Sequence, residues 1–186
     1  VVKLVVSPLP RGAGFEFVDS IVGGAIPKNY VAAVQAGIEE YMAGGGHLGV
    51  PVVDVRVECV DGKTHSVDSS DMAFRTAAQS GFQEALARGG EVMLEPISLV
   101  TVTVPSALQG DVLGDLSARR GRIVGSDADG DRHVISAHVP TAELARYAMD
   151  LRAIAGGRAS LAIEHSHYDA CPEHVAASAR REMAHA

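Results

Sequence analysis

Hydrophobic positions in the first half of the chain alternate, recur at helical spacing, then alternate and recur again. Residues 1–6 (VVKLVV) and 15–22 (FEFVDSIV) are β-branched or aromatic runs. The Pro/Gly-rich stretch 7–14 between them predicts a long hairpin with Arg11 at its loop tip. Pro27 suits the first position of a helix, and Val31, Val34, Ile38, Tyr41 and Met42 recur at helical spacing until Gly44, Gly45 and Gly46 stop the run. Gly37, inside that helix, predicts close approach to a neighbour. Residues 50–60 alternate again, and Asp61-Gly62 marks a turn. A second helix follows over about 70–88, with Phe74, Ala78, Phe82 and Ala85 as its buried stripe, Asp68 or Ser69 as N-cap and Gly89 as stop.

The pattern restarts after Gly89-Gly90, which predicts a domain boundary there: 1–90 as one domain and 91–171 as a second. In the second, 97–104 reads as a strand, 108–120 as a helix, 122–126 and 133–139 as a hairpin across an Asp/Gly turn, 141–154 as a helix and 159–167 as a strand. The order βαββαβ is the ferredoxin-like pattern, so the fold class is α+β in two domains. A last helix over about 172–183, within a C-terminal stretch 172–186, is expected to pack back on the first domain. No internal repeat or low-complexity tract is present.

Composition narrows the function classes. The chain has 186 residues, 47% of them hydrophobic, enough to fill either one core or two. No apolar run approaches the ~18–20 residues of a membrane span, and no signal-peptide pattern opens the chain, so a cytoplasmic location is expected. Cys59 and Cys171 form no CxxC pair and read as packing residues. The formal charge of −7 argues against coating nucleic acid through bulk electrostatics, so any RNA contact must be local. Beyond Glu91 every basic residue is an arginine, the side chain suited to bidentate phosphate contacts. The first six residues lack an initiator methionine and already read as a strand, which suggests a piece of a longer protein.

Several motifs fall short of the chemistry they resemble. Gly62-Lys63-Thr64 has the end of a phosphate-binding loop, but Val57 stands where its first glycine is required. Asp111 and Gly114 make a DxxG without the companions of a nucleotide site. Asp127, Asp129, Gly130 and Asp131 suggest a calcium loop, yet His138 occupies its glutamate position, so a hairpin turn is preferred. His165 and His167, two apart on a strand, share a face and lack a third metal ligand. His65, Asp68 and Ser69 or Ser70 have the residue types of a hydrolase triad, but consecutive turn and helix-start positions do not aim three side chains at one point. With the serines assigned as caps, His65 stands exposed on the loop with Lys63, beside a helix N-terminus that favours anions. Arg119, Arg120 and Arg122 end a helix, where they stabilise its C-terminal dipole; a phosphate clamp, helped by Arg152 and Arg158 if the fold brings them near, is compatible with that role.

The runs FEFVDSIVGGAIP (15–27), GVPVVDV (49–55), HSVDSSDMAF (65–74), EPI (95–97), DLSARRG (115–121), HVPTAELARYAMDLRAIAGGRAS (138–160) and YDACP (168–172) resemble the fourth and fifth domains of bacterial elongation factor G. The resemblance implies a first domain like the second domain of a small-subunit ribosomal protein, with a left-handed βαβ crossover, and a ferredoxin-like second. It implies a fragment of a translational GTPase that moves tRNA and mRNA, with no catalytic residue or metal of its own; GTP and Mg belong to an N-terminal domain absent here. His65 matches the histidine at the tip that enters the decoding region, and stretch 7–14 matches the neighbouring tip loop. The RNA and ribosome contacts so implied are Arg11, Gly12, Lys63, His65, Arg119 and Arg120. The implied partners are rRNA of both subunits, tRNA and mRNA, and the implied state is a monomer. Val50 where the family commonly has Tyr, and Gly156-Gly157 before Arg158, leave open a divergent paralogue that binds ribosomes without translocating, for recycling, regulation or tetracycline-type protection. A small metal- or serine-dependent hydrolase is the reading from another class.

Overall fold

The computed structural model describes residues 1–46 and 49–183; residues 184–186, part of the stretch assigned to the first domain, lie outside them. The chain divides into two units, Val1–Val92 with Pro172–Ala186, and Met93–Cys171.

In the first unit, β1 (Val2–Pro8), β2 (Phe15–Asp19) and β3 (Val55–Gly62) form a sheet in the order β1-β3-β2. β3 runs antiparallel to β1 and parallel to β2, with Val57 opposite both Val6 and Phe17. The first two runs therefore do not form the expected hairpin. β3 separates them because it alone buries one face fully, through Val55, Val57 and Cys59, whereas β1 and β2 stay half-exposed and suit the edges. The parallel β2–β3 pair is joined by α1 (Lys28–Ala43), and α2 (Asp71–Gly89) follows β3.

Pro27 is the N-cap of α1 rather than its first residue, and Val31, Val34, Ile38 and Met42 form the buried stripe. On α2 the stripe is Phe74, Ala78, Phe82 and Leu86; Leu86 takes the place expected for Ala85 because the buried residues step by four. The helices touch at Gly37, where a Cβ would lie 2.7 Å from the Arg75 carbonyl oxygen. The alternating run becomes a strand only at Val55. Before it, the Val52 amide donates to the Met42 carbonyl at 3.2 Å and ties the chain to the end of α1. α5 (Glu173–Met183) belongs to this unit.

The second unit is a four-stranded antiparallel sheet in the order β5-β6-β4-β7, from β4 (Leu94–Pro105), β5 (Arg122–Asp129), β6 (Arg132–Pro140) and β7 (Ser160–Ala170). α3 (Gln109–Ala118) and α4 (Tyr147–Ala155) supply its helices. Val100, Val102, Val104, Ile135, Ala137 and Val139 meet Val112, Leu116, Tyr147 and Leu151 in one core. Each buried valine or leucine contributes about 1.5–3 kcal/mol relative to exposure. The helix expected over 141–154 is split: a 3₁₀ turn over Thr141–Leu144 follows Pro140, and α4 begins at Tyr147.

Candidate nucleic-acid interface

The loop after β3 is closed on itself before α2 begins. The His65 amide donates to Ser69 Oγ at 2.8 Å, and the Ser69 amide returns to the His65 carbonyl at 3.2 Å. Ser70, not Asp68 or Ser69, is the N-cap, its hydroxyl accepting from the Ala73 amide at 3.1 Å. Tyr30 of α1 fastens the loop from outside: its hydroxyl donates to the Ser69 carbonyl at 3.3 Å, and its ring stacks on Phe74 with centroids 4.6 Å apart. The backbone is thus held while the His65 side chain stays 70% exposed. Its Nδ1 lies 3.2 Å from the Asp68 carboxylate, itself 78% exposed, so the pair contributes a few tenths of a kcal/mol at about the level of other surface pairs. Donation from Nδ1 to Asp68 turns Nε2 to solvent as the free edge. Lys63 lies beside it, its amide bonded to the Val1 carbonyl at 2.9 Å, and a cleft of about 100 Å³ opens between Lys63, His65, Asp68 and Phe74.

The stretch carrying Arg11 and Gly12 lies at the other end of the sheet. β1 is antiparallel to β3, so Pro8 faces Val55 whereas Val2 faces Gly62, the residue before Lys63. The expectation that 7–14 neighbours the His65 loop is therefore corrected by the strand direction. What organises Arg11 is Asp54, a buried carboxylate at φ +59°. It accepts from the Gly14 amide at 2.9 Å and lies 3.6 Å from Arg11 Nη1. Burial pushes this carboxyl up, but the Gly14 and Gly12 amides and Arg11 outweigh it and hold it below the ordinary range.

Arg119 and Arg120 form the C-terminal turn of α3, and their donors are largely spent inside the unit. The Gly121 amide reaches the Leu116 carbonyl at 2.8 Å and the Arg120 amide that of Ser117 at 3.2 Å, a Schellman closure with Arg120 at φ +57°. Gly121 is required, since a Cβ there would stand 2.4 Å from the Leu116 oxygen. Arg119, with its side chain 18% exposed, pairs with Asp115 at 2.9 Å and Asp150 at 2.7 Å, donates to the Glu143 carbonyl and lies over the Tyr147 ring. Arg120 makes a two-pronged pair with Glu95 at 2.8 Å and reaches Glu143 at 3.1 Å. Side-chain bonds to Asp115 and to Glu95 come first among the causes that hold these guanidiniums above their ordinary range. A phosphate would have to displace carboxylates, so in this arrangement the pair serves the fold; Arg158 is likewise turned to the Ala155 carbonyl.

Residues 1–90 match the family model described as elongation factor G, domain IV, and residues 92–179 that described as elongation factor G C-terminus. The chain belongs to the elongation factor G family. It is 49% identical over 178 residues to an elongation factor G-like protein of Mycobacterium tuberculosis, covering 95% of this chain and 25% of that protein. It is 48% identical to elongation factor G of Aquifex pyrophilus, covering 92% of this chain and 24% of that protein. A crystal structure of a Thermus thermophilus protein superposes over 100% of this chain and 28% of its own with a TM-score of 0.88 at 38% identity. The chain thus spans about a quarter of the length of the curated relatives it matches.

Within an elongation factor G unit of this kind the remaining motifs have ordinary roles. Ser69 and Ser70 each accept from a backbone amide, and the His65 ring is turned to Asp68 instead of to either serine. Gly130 and Asp131 make the tight turn between β5 and β6, with Asp129 opposite Arg132. His165 and His167 do not share partners: the register shifts between Ile97 and Ser98, where Ser166 is inserted, and His167 meets His138 while His165 meets Tyr168. Among the described residues no cluster of three metal-ligating side chains occurs, and no helix is long and apolar enough to cross a membrane. Tyr30, Asp54 and Glu95 escaped the sequence reading. Asp54 alone left a signal there, as an acid inside the apolar run GVPVVDV.

Proposed function

We propose that this chain is the ribosome-contacting C-terminal part of a translational GTPase, and that the loop bearing Lys63 and His65 enters the decoding region to bias tRNA and mRNA movement. Family membership supports the ribosome as partner. The single observation that carries the tip assignment is the contrast at His65, an exposed imidazole on a backbone closed by Ser69 and anchored by Tyr30. A held loop delivers its side chain without the entropy loss of ordering on contact. In this reading GTP and Mg act in the N-terminal part of the parent, and these domains act by occupying space that tRNA would re-enter.

The test is a fusion of these residues to the N-terminal domains of a working translocase, with a His65→Ala variant beside it. Loss of one contact worth about 1.4 kcal/mol slows translocation about tenfold, while GTP hydrolysis stays within about twofold. Normal translocation with collapsed hydrolysis overturns the tip assignment. A second reading, favoured by the similarity to an elongation factor G-like protein, is a ribosome-binding paralogue without translocase activity. In that case the unmutated fusion binds ribosomes and hydrolyses GTP but moves nothing.

A further inference from the structure

On the sheet face opposite α3 and α4, strands β5, β6 and β7 bring four polar side chains into one network. Arg122 Nη2 lies 3.3 Å from His138 Nδ1. A guanidinium has no acceptor, so it donates, and His138 Nδ1 carries no proton. The neutral His138 ring therefore keeps its proton on Nε2 and donates to Ser166 Oγ at 3.3 Å. The Ser166 hydroxyl passes the direction on to His167 Nδ1 at 2.8 Å, which leaves the Nε2–H of His167 as an unspent donor. The two rings meet edge to face with centroids 5.1 Å apart.

This network differs from the Arg119 and Arg120 cluster in what it lacks. Those guanidiniums end on carboxylates. Among the described residues no carboxylate is paired with Arg122, His138 or His167, and Arg122 keeps most of its N–H groups unspent. We propose that Arg122, His138, Ser166 and His167 form a binding site for a phosphate oxyanion. A tetrahedral oxyanion supplies what the network is missing, several acceptor oxygens and a negative charge, and by taking over the Arg122 donors it frees His138 Nδ1 to take a proton. Without it, burial, His167 and Arg122 all hold His138 below the usual imidazole range. The facing groups are Arg122 from β5, the uncharged Ile97 and Leu99 from β4, and His167, Glu164 and Asp169 from β7; Glu164, across Leu99 from His138, and Asp169, two residues beyond His167 on the same face, oppose the anion. The site is independent of the His65 tip and does not depend on the translocation reading.

The experiment titrates the whole isotope-labelled chain and follows the imidazole nitrogens by NMR. One arm adds inorganic phosphate, the other a short single-stranded RNA without terminal phosphates, both at constant ionic strength, at about pH 6 and about pH 8. Saturable shifts at His138 and His167 are expected, with binding of the RNA, whose phosphodiester charge is the same at both pH values, at least about threefold tighter at the lower pH. Arg122→Gln weakens it by about fivefold or more, and Glu164→Gln tightens it. Saturation by RNA alone assigns the site to backbone phosphodiesters; saturation by phosphate alone assigns it to a free or terminal phosphate; both support the oxyanion. Absence of saturable shifts in either arm overturns the proposal, as does binding that Arg122→Gln leaves unchanged. Amide signals of β4 and α3 report whether each variant is folded, and His167→Gln repeats the test if Arg122→Gln is not.

Discussion

A single methyl group placed on either of two helices should change stability in opposite directions. Gly37 and Gly81 both lie inside helices, α1 and α2, and replacing either by alanine gains about 0.8–1 kcal/mol of helix propensity. At Gly81 nothing opposes that gain, because the new Cβ meets only Leu4 Cδ1 at 3.7 Å, an ordinary contact. At Gly37 the Cβ would stand 2.7, 2.9 and 3.1 Å from the O, Cα and C atoms of Arg75. Those atoms are backbone and cannot rotate away, so the helices must part by roughly 0.5 Å, an overpacking cost of about 1–3 kcal/mol at its upper end. The net expectation is about 1–2 kcal/mol of destabilisation for Gly37→Ala and up to about 1 kcal/mol of stabilisation for Gly81→Ala. Urea unfolding followed through amide signals of α1 and α2 reads both; with a slope near about 2 kcal/mol/M, the midpoints move down by about 0.5–1 M and up by about 0.4 M. If both variants raise the midpoint alike, the helices are not in backbone contact and the geometry that carries Tyr30 to the His65 loop is wrong.

Tyr30→Phe keeps the stacking on Phe74 and removes the hydroxyl that reaches Ser69; a loss of about 1 kcal/mol should speed hydrogen exchange at the His65 and Ser69 amides about fivefold while core amides are unchanged. Asp54→Asn tolerates the left-handed backbone but removes the charge, costing about 1–2 kcal/mol at neutral pH. Because the folded carboxyl sits below its unfolded value of about 3.9, that stability is present above the unfolded value and fades as pH falls through the folded one, so denaturation curves of variant and parent should begin to approach each other below about pH 4 and meet only below the folded value. Arg120→Ala and Arg120→Gly both leave Glu95 without its pair, but glycine relieves the positive φ; thermal unfolding should rank the glycine variant above the alanine one by about 1 kcal/mol.

The sequence was most legible where one element decides its own fate. Most of the helix stripes, the Gly44 stop, the βαββαβ order and the exposure of His65 follow from local spacing and turn chemistry, although the second helix runs through Gly89, expected as its stop, to a cap at Gly90. Alternation told which residues of 1–6 and 15–22 share a face but not which strand lies beside them. The hairpin error has this cause, for β3 enters between the two strands from far along the chain; the Arg11 loop was placed by resemblance, and the antiparallel run of β3 against β1 puts it at the other end of the sheet. The arginines failed similarly: Glu95 and Glu143 are distant in sequence, and only the fold brings them to Arg120. The N-cap moved to Ser70 because the polar run HSVDSS offers several capping side chains, and the closed turn from His65 to Ser69 uses one of them.

The central place of β3 also sets an order of assembly. As the chain leaves its own ribosome, β1 and β2 emerge with no partner for either edge, and they wait until α1 and then Val55–Gly62 have followed. β5 and β6 need no such delay, since only a tight turn separates them. Fast zippering is thus available to one unit, whereas the other must close a long loop before its first ladder rung. A stalled nascent chain ending before β3 would expose two naked strands to aggregation and to chaperones.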